Sequence, residues 1–378
     1  MLKKDFMAPV VLNLKNADDP RDVIHRCVQA LSEGRLVLLP TETTYVLAAS
    51  ALHPEAASRL YSLNATTPKF LALRGPDAAM DYLPDLTPLG IRLIRRSWPG
   101  PVSLEFDDGH RESVAQKLAT SVVNSMQIEG RITLRVPAHP MVLELLRLHV
   151  GPLVMQEVFT SKGAAAEFSD ALNEVSGSCH FAVDDGSTKY GQCASVVHIK
   201  NDKYDVVTEG VVSLSTLKRL TDVLFLFVCT GNTCRSPMAE ALFRKQLAQR
   251  LGCSESELAD RGFQVMSAGV SAMHGGSAAE EAIDVMCEFG CDLTQHESQP
   301  LSDRLARYAD QIFTMTRSHR EAVLSQWPEL AGRTVLLDLQ RFDISDPIGG
   351  PIETYRRCAQ HMEKQISGWI EQLQLPGQ

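Results

Sequence analysis

The sequence contains no hydrophobic run of membrane-spanning length, and its first residues lack the apolar core of a signal peptide. A membrane helix needs about 20 consecutive apolar residues, and a signal peptide needs an apolar core of about 7–15 residues. We therefore predict a soluble cytoplasmic protein that does not bind a membrane.

Basic residues are also in deficit, because the sequence has 37 Lys and Arg against 46 Asp and Glu, which gives a net charge of −9. This balance disfavours nonspecific nucleic-acid binding by the acidic C-terminal part.

The cysteines are too few and too scattered to frame a small disulfide-rich domain, with nine in 378 residues. Reduced thiols are the expectation for such a chain. We predict neither a metal site nor a bound cofactor.

The chain is long for one hydrophobic core, and 44% hydrophobic with 22% charged residues is an ordinary globular composition. The sequence thus predicts two domains, which we place at residues 10–215 and 222–378.

One stretch in the second half combines a buried strand, a tight loop and a helix. The apolar run Val223–Val228 predicts the strand, and the helix is predicted over Pro237–Leu251. The loop between them reads Cys229-Thr230-Gly231-Asn232-Thr233-Cys234-Arg235-Ser236. Amide groups at a helix N-terminus are unpaired and favour an anion. We therefore predict that this loop holds a phosphate-like oxyanion.

Three residues of the loop are candidates for chemistry or for its geometry. The field at the helix N-terminus favours the thiolate of Cys229, which makes Cys229 the candidate nucleophile. Arg235 can return over the loop and bind two phosphoryl oxygens with its planar guanidinium. We place Ser236 as the helix N-cap, with Pro237 at the first helical position.

Phosphoryl transfer from a poor leaving group also needs a proton donor, and the loop contains none. The candidate is Asp346, which precedes Pro347 in a turn-rich segment before the last predicted helix. Gly349 and Gly350 would let this segment fold over a site. The sequence thus supplies a nucleophile, an anion cradle and an acid.

The loop resembles the active-site loop of the low-molecular-weight protein-tyrosine phosphatase family, and in particular that of the bacterial protein-arginine phosphatase branch. The likeness runs from about Asp222 to Gln374. It implies that Cys229 forms a cysteinyl-phosphate, that Arg235 binds the phosphoryl group and that Asp346 is the general acid. It also implies substrate contacts by the remaining loop residues, which are Thr230, Gly231, Asn232, Thr233, Cys234 and Ser236.

The same resemblance implies residues that support the loop. Ser236 would donate a hydrogen bond to the thiolate of Cys229, and Ser267 and His296 would fix the side chain of Asn232. Asparagine tolerates the left-handed backbone conformation that an anion-cradling loop needs. A reversible disulfide between Cys229 and Cys234 that protects the nucleophile is implied as well.

The predicted substrate is a phosphoprotein, and two residue positions bear on which one. Thr233 stands where tyrosine-specific members carry a branched aliphatic residue, and Ile348-Gly349-Gly350 follows the Asp-Pro pair where they carry aromatic residues. A smaller, partly polar wall suits a guanidinium, so we favour phosphoarginine over phosphotyrosine. An alternative on the same fold is a thiol-coupled arsenate reductase, which would need relay cysteines such as Cys287 and Cys291.

Strand and helix patterns alternate throughout the second half. Strands are predicted over Phe263–Met266, Gln311–Thr314 and Val335–Leu337, and the last helix over Ile352–Leu373. Such alternation predicts a doubly wound parallel sheet with helices on both faces. The fold class we predict is therefore α/β in both halves, with a mixed α/β first domain and a second domain of the low-molecular-weight phosphatase type.

The first half resembles the threonylcarbamoyl-AMP synthase (YrdC-like) family over about residues 10–215. The motifs that carry the likeness stand in the family's order: Pro40-Thr41-Glu42-Thr43-Thr44-Tyr45, Trp98-Pro99-Gly100-Pro101, Arg135-Val136-Pro137-Ala138-His139-Pro140 and Ser195-Val196-Val197. Thr41, Arg135 and Ser195 are the residues that the resemblance suggests as small-molecule contacts.

The nucleotide-binding chemistry of that family is eroded here. Asn64-Ala65-Thr66 replaces a Lys-x-Arg pair, and Gln156-Glu157-Val158 replaces Ser-Ala-Asn, so that two positive charges are lost and a carboxylate is gained. We predict a retained fold with lost or altered activity. Two alternatives remain open, an active synthase and a domain that binds a nucleotide or double-stranded RNA. Arg92, Arg95 and Arg96 on one predicted helix are the basic cluster that an RNA would use.

Overall fold

Contacts within the chain divide it into two units, Met1–Leu220 and Thr221–Gln378. The structure is a computed structural model, and it describes residues 8–64, 67, 69–107, 112–126, 130–175 and 177–373. Ala65 and Thr66, part of the predicted loss of a basic pair, lie outside the described residues. Each unit has its own sheet and its own apolar core.

The first unit contains twelve strands and eight α-helices in its described part. The strands are β1 (Val10–Asn13), β2 (Val37–Pro40), β3 (Tyr45–Ser50), β4 (Lys69–Ala72), β5 (Val102–Asp107), β6 (Arg131–Arg135), β7 (Leu153–Glu157), β8 (Phe159–Thr160), β9 (Gly163–Ala164), β10 (Phe181–Asp184), β11 (Ser195–Lys200) and β12 (Lys203–Thr208). The helices are α1 (Pro20–Ser32), α2 (Pro54–Leu63), α3 (Ala79–Tyr82), α4 (Pro88–Ser97), α5 (Thr120–Met126), α6 (Pro140–Leu148), α7 (Phe168–Val175) and α8 (Leu214–Thr221).

A ten-stranded mixed sheet organises this unit, in the order β1-β10-β2-β3-β7-β4-β6-β5-β11-β12. Along β3, Tyr45 and Leu47 join one apolar cluster while Val46 and Ala48 join another, because successive side chains of a strand point to opposite faces. Helices α2 and α4 pack in the first cluster, and α1 and α6 pack in the second. The sheet is therefore buried on both faces, as the mixed α/β prediction requires.

The second unit has four strands and five α-helices in its described part. The strands are β13 (Val223–Cys229), β14 (Phe263–Gly269), β15 (Gln311–Thr314) and β16 (Thr334–Leu336). The helices are α9 (Arg235–Leu251), α10 (Glu280–Glu288), α11 (Asp303–Tyr308), α12 (Arg317–Gln326) and α13 (Ile352–Gln372). All strands pair in parallel, in the order β14-β13-β15-β16.

Helices cover both faces of this parallel sheet, which confirms the predicted fold class. Side chains of β13 alternate between two cores: Phe225 and Phe227 pack with α9, α10 and α13, whereas Leu224, Leu226 and Val228 pack with α11 and α12. Strand β14 extends to Gly269, three residues beyond the predicted end at Met266, because it pairs with β13 as far as Cys229.

The start of α9 differs from the prediction. The helix begins at Arg235, and Cys234 occupies the cap position with φ −125° and ψ −86°. Met238 N–H donates to the Cys234 carbonyl oxygen at 3.2 Å, so Ser236 already lies within the first turn and is not the N-cap. The Ser-Pro pair suggested a cap, but the Ser236 hydroxyl is used inside the preceding loop instead.

Candidate active site

The predicted anion loop lies at the carboxyl end of β13, between that strand and α9. Strand β13 pairs with β14 on one side and with β15 on the other, so the chain reverses its direction of winding at β13. Ligands of open α/β sheets bind at such a point. The topology therefore places residues 229–236 where the fold offers a crevice.

The sulfur of Cys229 lies within hydrogen-bond distance of two groups of the loop. Ser236 Oγ is 2.9 Å from Cys229 Sγ, and the backbone N–H of Asn232 donates to the sulfur at 3.3 Å. The side chain is buried, with 3% of the residue's surface exposed. Hydrogen bonds to sulfur stabilise a thiolate more than a thiol. The arrangement suits a sulfur that acts as an anionic nucleophile.

Asn232 ties the loop to the strands behind it. Its φ of 57° is left-handed, and its Nδ2 donates to Ser236 Oγ and Ser267 Oγ, both at 2.9 Å. Its Oδ1 accepts from Gln299 N at 2.9 Å, and its carbonyl oxygen accepts from His296 Nε2 at 2.7 Å. His296 thus holds the backbone of Asn232 rather than its side chain, which differs from the prediction. Gln299 escaped the sequence analysis because no motif links it to the loop.

The end of β14 supports the loop by close backbone approach. Val270 N donates to the Cys229 carbonyl oxygen at 2.9 Å, and Ser271 N donates to the Thr230 carbonyl oxygen at 3.0 Å. A Cβ on Gly269 would lie 2.4 Å from that Thr230 oxygen. Only glycine allows this contact, so Gly269 is a further residue that the site requires.

Arg235 and Asp346 meet at the edge of the loop. The Arg235 guanidinium pairs with the Asp346 carboxylate and donates to the Ile344 carbonyl oxygen at 3.3 Å. Arg235 is 5% exposed, whereas the Asp346 side chain is 42% exposed. Asp346 also accepts from Ile348 N at 3.2 Å, which fixes the turn that follows it. The structure therefore brings the predicted cation and the predicted acid together.

Thr233 and Cys234 complete the loop. Thr233 Oγ1 lies 3.7 Å from Cys234 Sγ, and Cys234 Sγ lies 3.7 Å from the Tyr355 hydroxyl. Burial raises the pKa of the Cys234 thiol. All nine cysteines are free thiols, so the implied disulfide between Cys229 and Cys234 is not formed in this structure.

His319 is a residue of the site that the sequence analysis missed. It lies in the first turn of α12 and is 5% exposed. Its Nε2 is 2.8 Å from Thr230 Oγ1, and its Nδ1 is 2.9 Å from Thr316 Oγ1. Burial, together with the positive charge of Arg235, lowers the pKa of the imidazole from 6.5 to about 4. His319 is therefore a neutral ring beside the loop at physiological pH.

Acid is expected to destabilise the second unit through His319. The unfolded chain binds a proton at the usual pKa of 6.5, whereas the folded chain binds it only at a pKa of about 4. Between these values the unfolded state holds more protons, so the free energy of unfolding falls as the pH falls from 6.5 to 4. The loss is about 3 kcal/mol, which urea unfolding of the full chain at pH 7, 5.5 and 4 measures. His319→Gln cannot titrate and should lose about 3 kcal/mol less than the wild type over this range; an equal decline in both proteins would contradict the assignment.

Thr41, Arg135 and Ser195 each make hydrogen bonds within the first unit, but the buried Nη1 of Arg135 has no hydrogen-bond partner among the described residues. Thr41 Oγ1 donates to the Thr44 carbonyl oxygen at 2.6 Å. Arg135 is fully buried and pairs with Glu42 at 2.6 Å and with Glu157 at 3.8 Å. Ser195 Oγ donates to the Val212 carbonyl oxygen at 2.9 Å. Arg135 Nη2 also donates to Thr43 Oγ1 at 3.0 Å, and that oxygen lies 2.9 Å from Thr41 Oγ1, so Thr43 links Thr41 to Arg135.

One cavity of this unit still involves Thr41. It measures about 380 Å³, and Tyr45, His139 and Asp185 are among the residues that line it with Thr41. The predicted basic cluster on α4 is not one exposed face, because Arg92 is buried and Arg96 donates to the Leu220 carbonyl oxygen at 2.9 Å.

The described residues contain neither a cluster of metal ligands nor a membrane-spanning helix. No group of three or more His, Cys, Asp or Glu side chains among them is placed to hold a metal ion. In the same part of the chain, no helix is both long and apolar enough to cross a bilayer.

Known protein families match each half of the chain. The model of low molecular weight phosphotyrosine protein phosphatases matches residues 224–377, and that of the Sua5/YciO/YrdC family, described as telomere recombination, matches residues 29–210. The protein-arginine-phosphatase of Geobacillus stearothermophilus is 38% identical over 156 residues, which cover 39% of this chain and 95% of that protein. The corresponding enzyme of Bacillus subtilis (strain 168) is 36% identical over 154 residues, with 39% and 95% coverage. A probable low molecular weight protein-tyrosine-phosphatase, EpsP of Ralstonia nicotianae, is 31% identical over 153 residues, with 40% and 97% coverage.

Proposed function

Because the chain belongs to the low molecular weight phosphotyrosine protein phosphatase family and is a cysteine-dependent phosphatase, we propose that Cys229, Arg235 and Asp346 carry out its reaction. The two family matches confirm the predicted resemblances of both halves. The observation that carries the proposal is the pair of hydrogen-bonding groups, Ser236 Oγ and Asn232 N–H, around the Cys229 sulfur.

The proposed reaction has two steps, each with its own bond exchange. Cys229 Sγ attacks phosphorus, an S–P bond forms, the bond to the leaving group breaks, and Asp346 gives its proton to the leaving atom. Water then attacks the cysteinyl-phosphate, the S–P bond breaks, and the proton of the water passes to Asp346. Arg235 and the amide groups of the loop stabilise the charge on the phosphoryl oxygens in both steps.

We propose that the substrate is a phosphoprotein and that phosphoarginine is preferred to phosphotyrosine. Thr233 contributes a small, hydroxyl-bearing side chain to the loop that carries the nucleophile, and Ile348, 67% exposed, is not aromatic. Two of the relatives above are named protein-arginine-phosphatases and share 38% and 36% identity with this chain. Release of phosphate from matched phosphoarginine and phosphotyrosine peptides tests the preference directly.

Thr233→Ile is expected to shift the substrate preference toward phosphotyrosine. Isoleucine has an ethyl group in place of the hydroxyl, which narrows the space for a polar guanidinium and gives an apolar surface to a phenol ring. We expect the ratio of kcat/KM for the phosphotyrosine peptide to that for the phosphoarginine peptide to rise about tenfold or more. Thr233→Val is the matched control, because it removes the hydroxyl at nearly constant size. An unchanged ratio in both variants would remove Thr233 from substrate selection.

The arsenate reductase alternative receives less support from the cysteines that it needs. Burial raises the pKa of Cys291 to about 11, which disfavours the thiolate of a relay nucleophile. Cys287 is exposed on α10, in a helix that carries no residue of the loop. Arsenate-dependent oxidation of a thiol partner by the full chain would favour reduction; phosphate release without it favours the phosphatase.

We propose that the YrdC-like unit keeps its fold without the synthase reaction. The carboxylates of Glu42 and Glu157 already neutralise Arg135, the one buried guanidinium among the candidate contacts. An anionic nucleotide would have to compete with both carboxylates at that guanidinium. Calorimetry of the full chain is therefore expected to detect no binding of ATP, threonine or duplex RNA. The Arg135→Met variant is expected to show no binding of these ligands either. Saturable binding of ATP would favour an active or nucleotide-sensing unit, and binding of duplex RNA would favour the RNA alternative.

We also propose a cytoplasmic location. Free thiols persist where the compartment is reducing, and all nine cysteines of the chain are free. Fractionation of cells that express the full chain, with an antibody against it, tests this location.

A further inference from the structure

His319 contacts the residue that directly follows the nucleophile. Its Nε2 lies 2.8 Å from the Thr230 hydroxyl, and the Thr230 carbonyl oxygen accepts from Ser271 N at 3.0 Å. Thr230 itself is exposed, whereas the imidazole is 5% exposed. A buried ring thus holds the side chain of a surface residue whose backbone continues into Cys229.

The ring of His319 has little freedom to turn. Its second nitrogen, Nδ1, lies 2.9 Å from Thr316 Oγ1, and Thr316 Oγ1 also accepts from the His319 backbone N–H at 3.2 Å as the N-cap of α12. A neutral imidazole has one donor and one acceptor nitrogen, and each faces a threonine hydroxyl. Any other orientation of the ring would lose both contacts.

The segment that carries His319 is also tied to the loop that carries Asp346. Arg317 N donates to Asp343 Oδ1 at 2.8 Å, and Ile344 N donates to the Met315 carbonyl oxygen at 2.8 Å. Met315 and Arg317 lie at the N-terminus of α12, and Asp343 and Ile344 shortly precede the proposed acid. The same short segment therefore contacts both halves of the catalytic machinery.

We propose that His319 is a positioning residue of the phosphatase reaction, which fixes Thr230 and so sets the geometry of the nucleophile loop relative to the acid-bearing loop. This inference rests on the proposed function of Cys229 and Asp346. His319 touches neither the reacting atoms nor the phosphoryl group in this assignment. Its effect passes through one hydrogen bond, to Thr230 Oγ1.

A double-mutant cycle on the full chain tests that hydrogen bond, with p-nitrophenyl phosphate as the substrate. We expect His319→Ala and Thr230→Val each to lower kcat/KM about tenfold, because small misplacements of a nucleophile loop are costly. If both act through one contact, the double variant loses about tenfold as well, whereas independent effects would give about a hundredfold loss. A hundredfold loss in the double variant would overturn the proposal.

Two conservative variants separate positioning from simple structural support. The amide of His319→Gln reaches about as far as Nε2 and can contact Thr230, whereas that of His319→Asn reaches about as far as Nδ1 and can contact only Thr316. We expect Gln to restore most of the activity and Asn to restore none. Equal activity of the two variants, with equal urea midpoints, would overturn the proposal even if His319→Ala fails to fold. Absence of turnover by the wild-type chain would instead refute the proposed function itself.

Discussion

Cys229→Ser is expected to abolish phosphatase activity, with kcat lowered by about 10⁴-fold or more. A serine hydroxyl is not ionised at neutral pH, so the hydrogen bonds that stabilise a thiolate cannot make it a comparable nucleophile. Phosphate release from a phosphoarginine peptide and from p-nitrophenyl phosphate measures the loss. Binding of inorganic phosphate, followed by calorimetry, should persist because the amide groups of the loop and Arg235 remain.

The matched control is Cys291→Ser, which changes another buried cysteine of the same unit. Cys291 contacts the Phe289 carbonyl oxygen at 3.8 Å and is not part of the loop. We expect it to keep nearly full activity. Substantial turnover by Cys229→Ser would exclude the cysteinyl-phosphate mechanism at this residue.

The second large effect is expected for Asp346→Ala, and its size should depend on the leaving group. A general acid contributes about 10²–10⁴-fold when the leaving atom needs a proton. p-Nitrophenolate leaves without one, so we expect the loss on p-nitrophenyl phosphate to be at least about tenfold smaller than on phenyl phosphate or phosphoarginine. Steady-state kinetics on this substrate series measure the dependence.

Two further variants make the interpretation of Asp346 specific. Asp346→Asn keeps the size of the side chain without a transferable proton and should show the same dependence on the leaving group. Asp343→Asn changes a nearby carboxylate that accepts from Arg317 N, and it should not discriminate between leaving groups. Equal losses on all substrates for Asp346→Ala would show that this residue supports Arg235 and does not act as the acid.

Local sequence patterns were sufficient for most of the elements that build the site. Successive apolar side chains of β13 enter two different cores, as expected for a strand of a sheet that has helices on both faces. Strand β15 spans the predicted Gln311–Thr314, and helix α13 begins at Ile352 as predicted. The Cys229 loop was found because strand, glycine, asparagine and helix signals are contiguous in the chain.

Contacts between distant parts of the chain were beyond such patterns. His319 lies 89 positions after Thr230, and Gln299 lies 67 positions after Asn232. Nothing near either residue marks it, since a histidine in the first turn of a helix and a glutamine before a proline are common. The order of the strands brings them to the loop, and that order depends on the packing of the whole unit. Ser236 failed as a cap prediction for a local reason, because α9 already begins at Arg235 and the Ser236 hydroxyl contacts Cys229 within the loop.

Because Arg235 is already paired with Asp346, an anionic ligand that binds Arg235 competes with that carboxylate. A phosphate ester that binds Arg235 must take the place of a carboxylate, so its affinity reflects the difference between two ion pairs rather than the full strength of one. The exchange would also release the Asp346 carboxylate, which must take up a proton before it can act as the proposed acid. Under the proposed mechanism, binding of the ester and release of Asp346 are thereby coupled, and an ester too short to reach the guanidinium would occupy the crevice while Asp346 stays paired with Arg235.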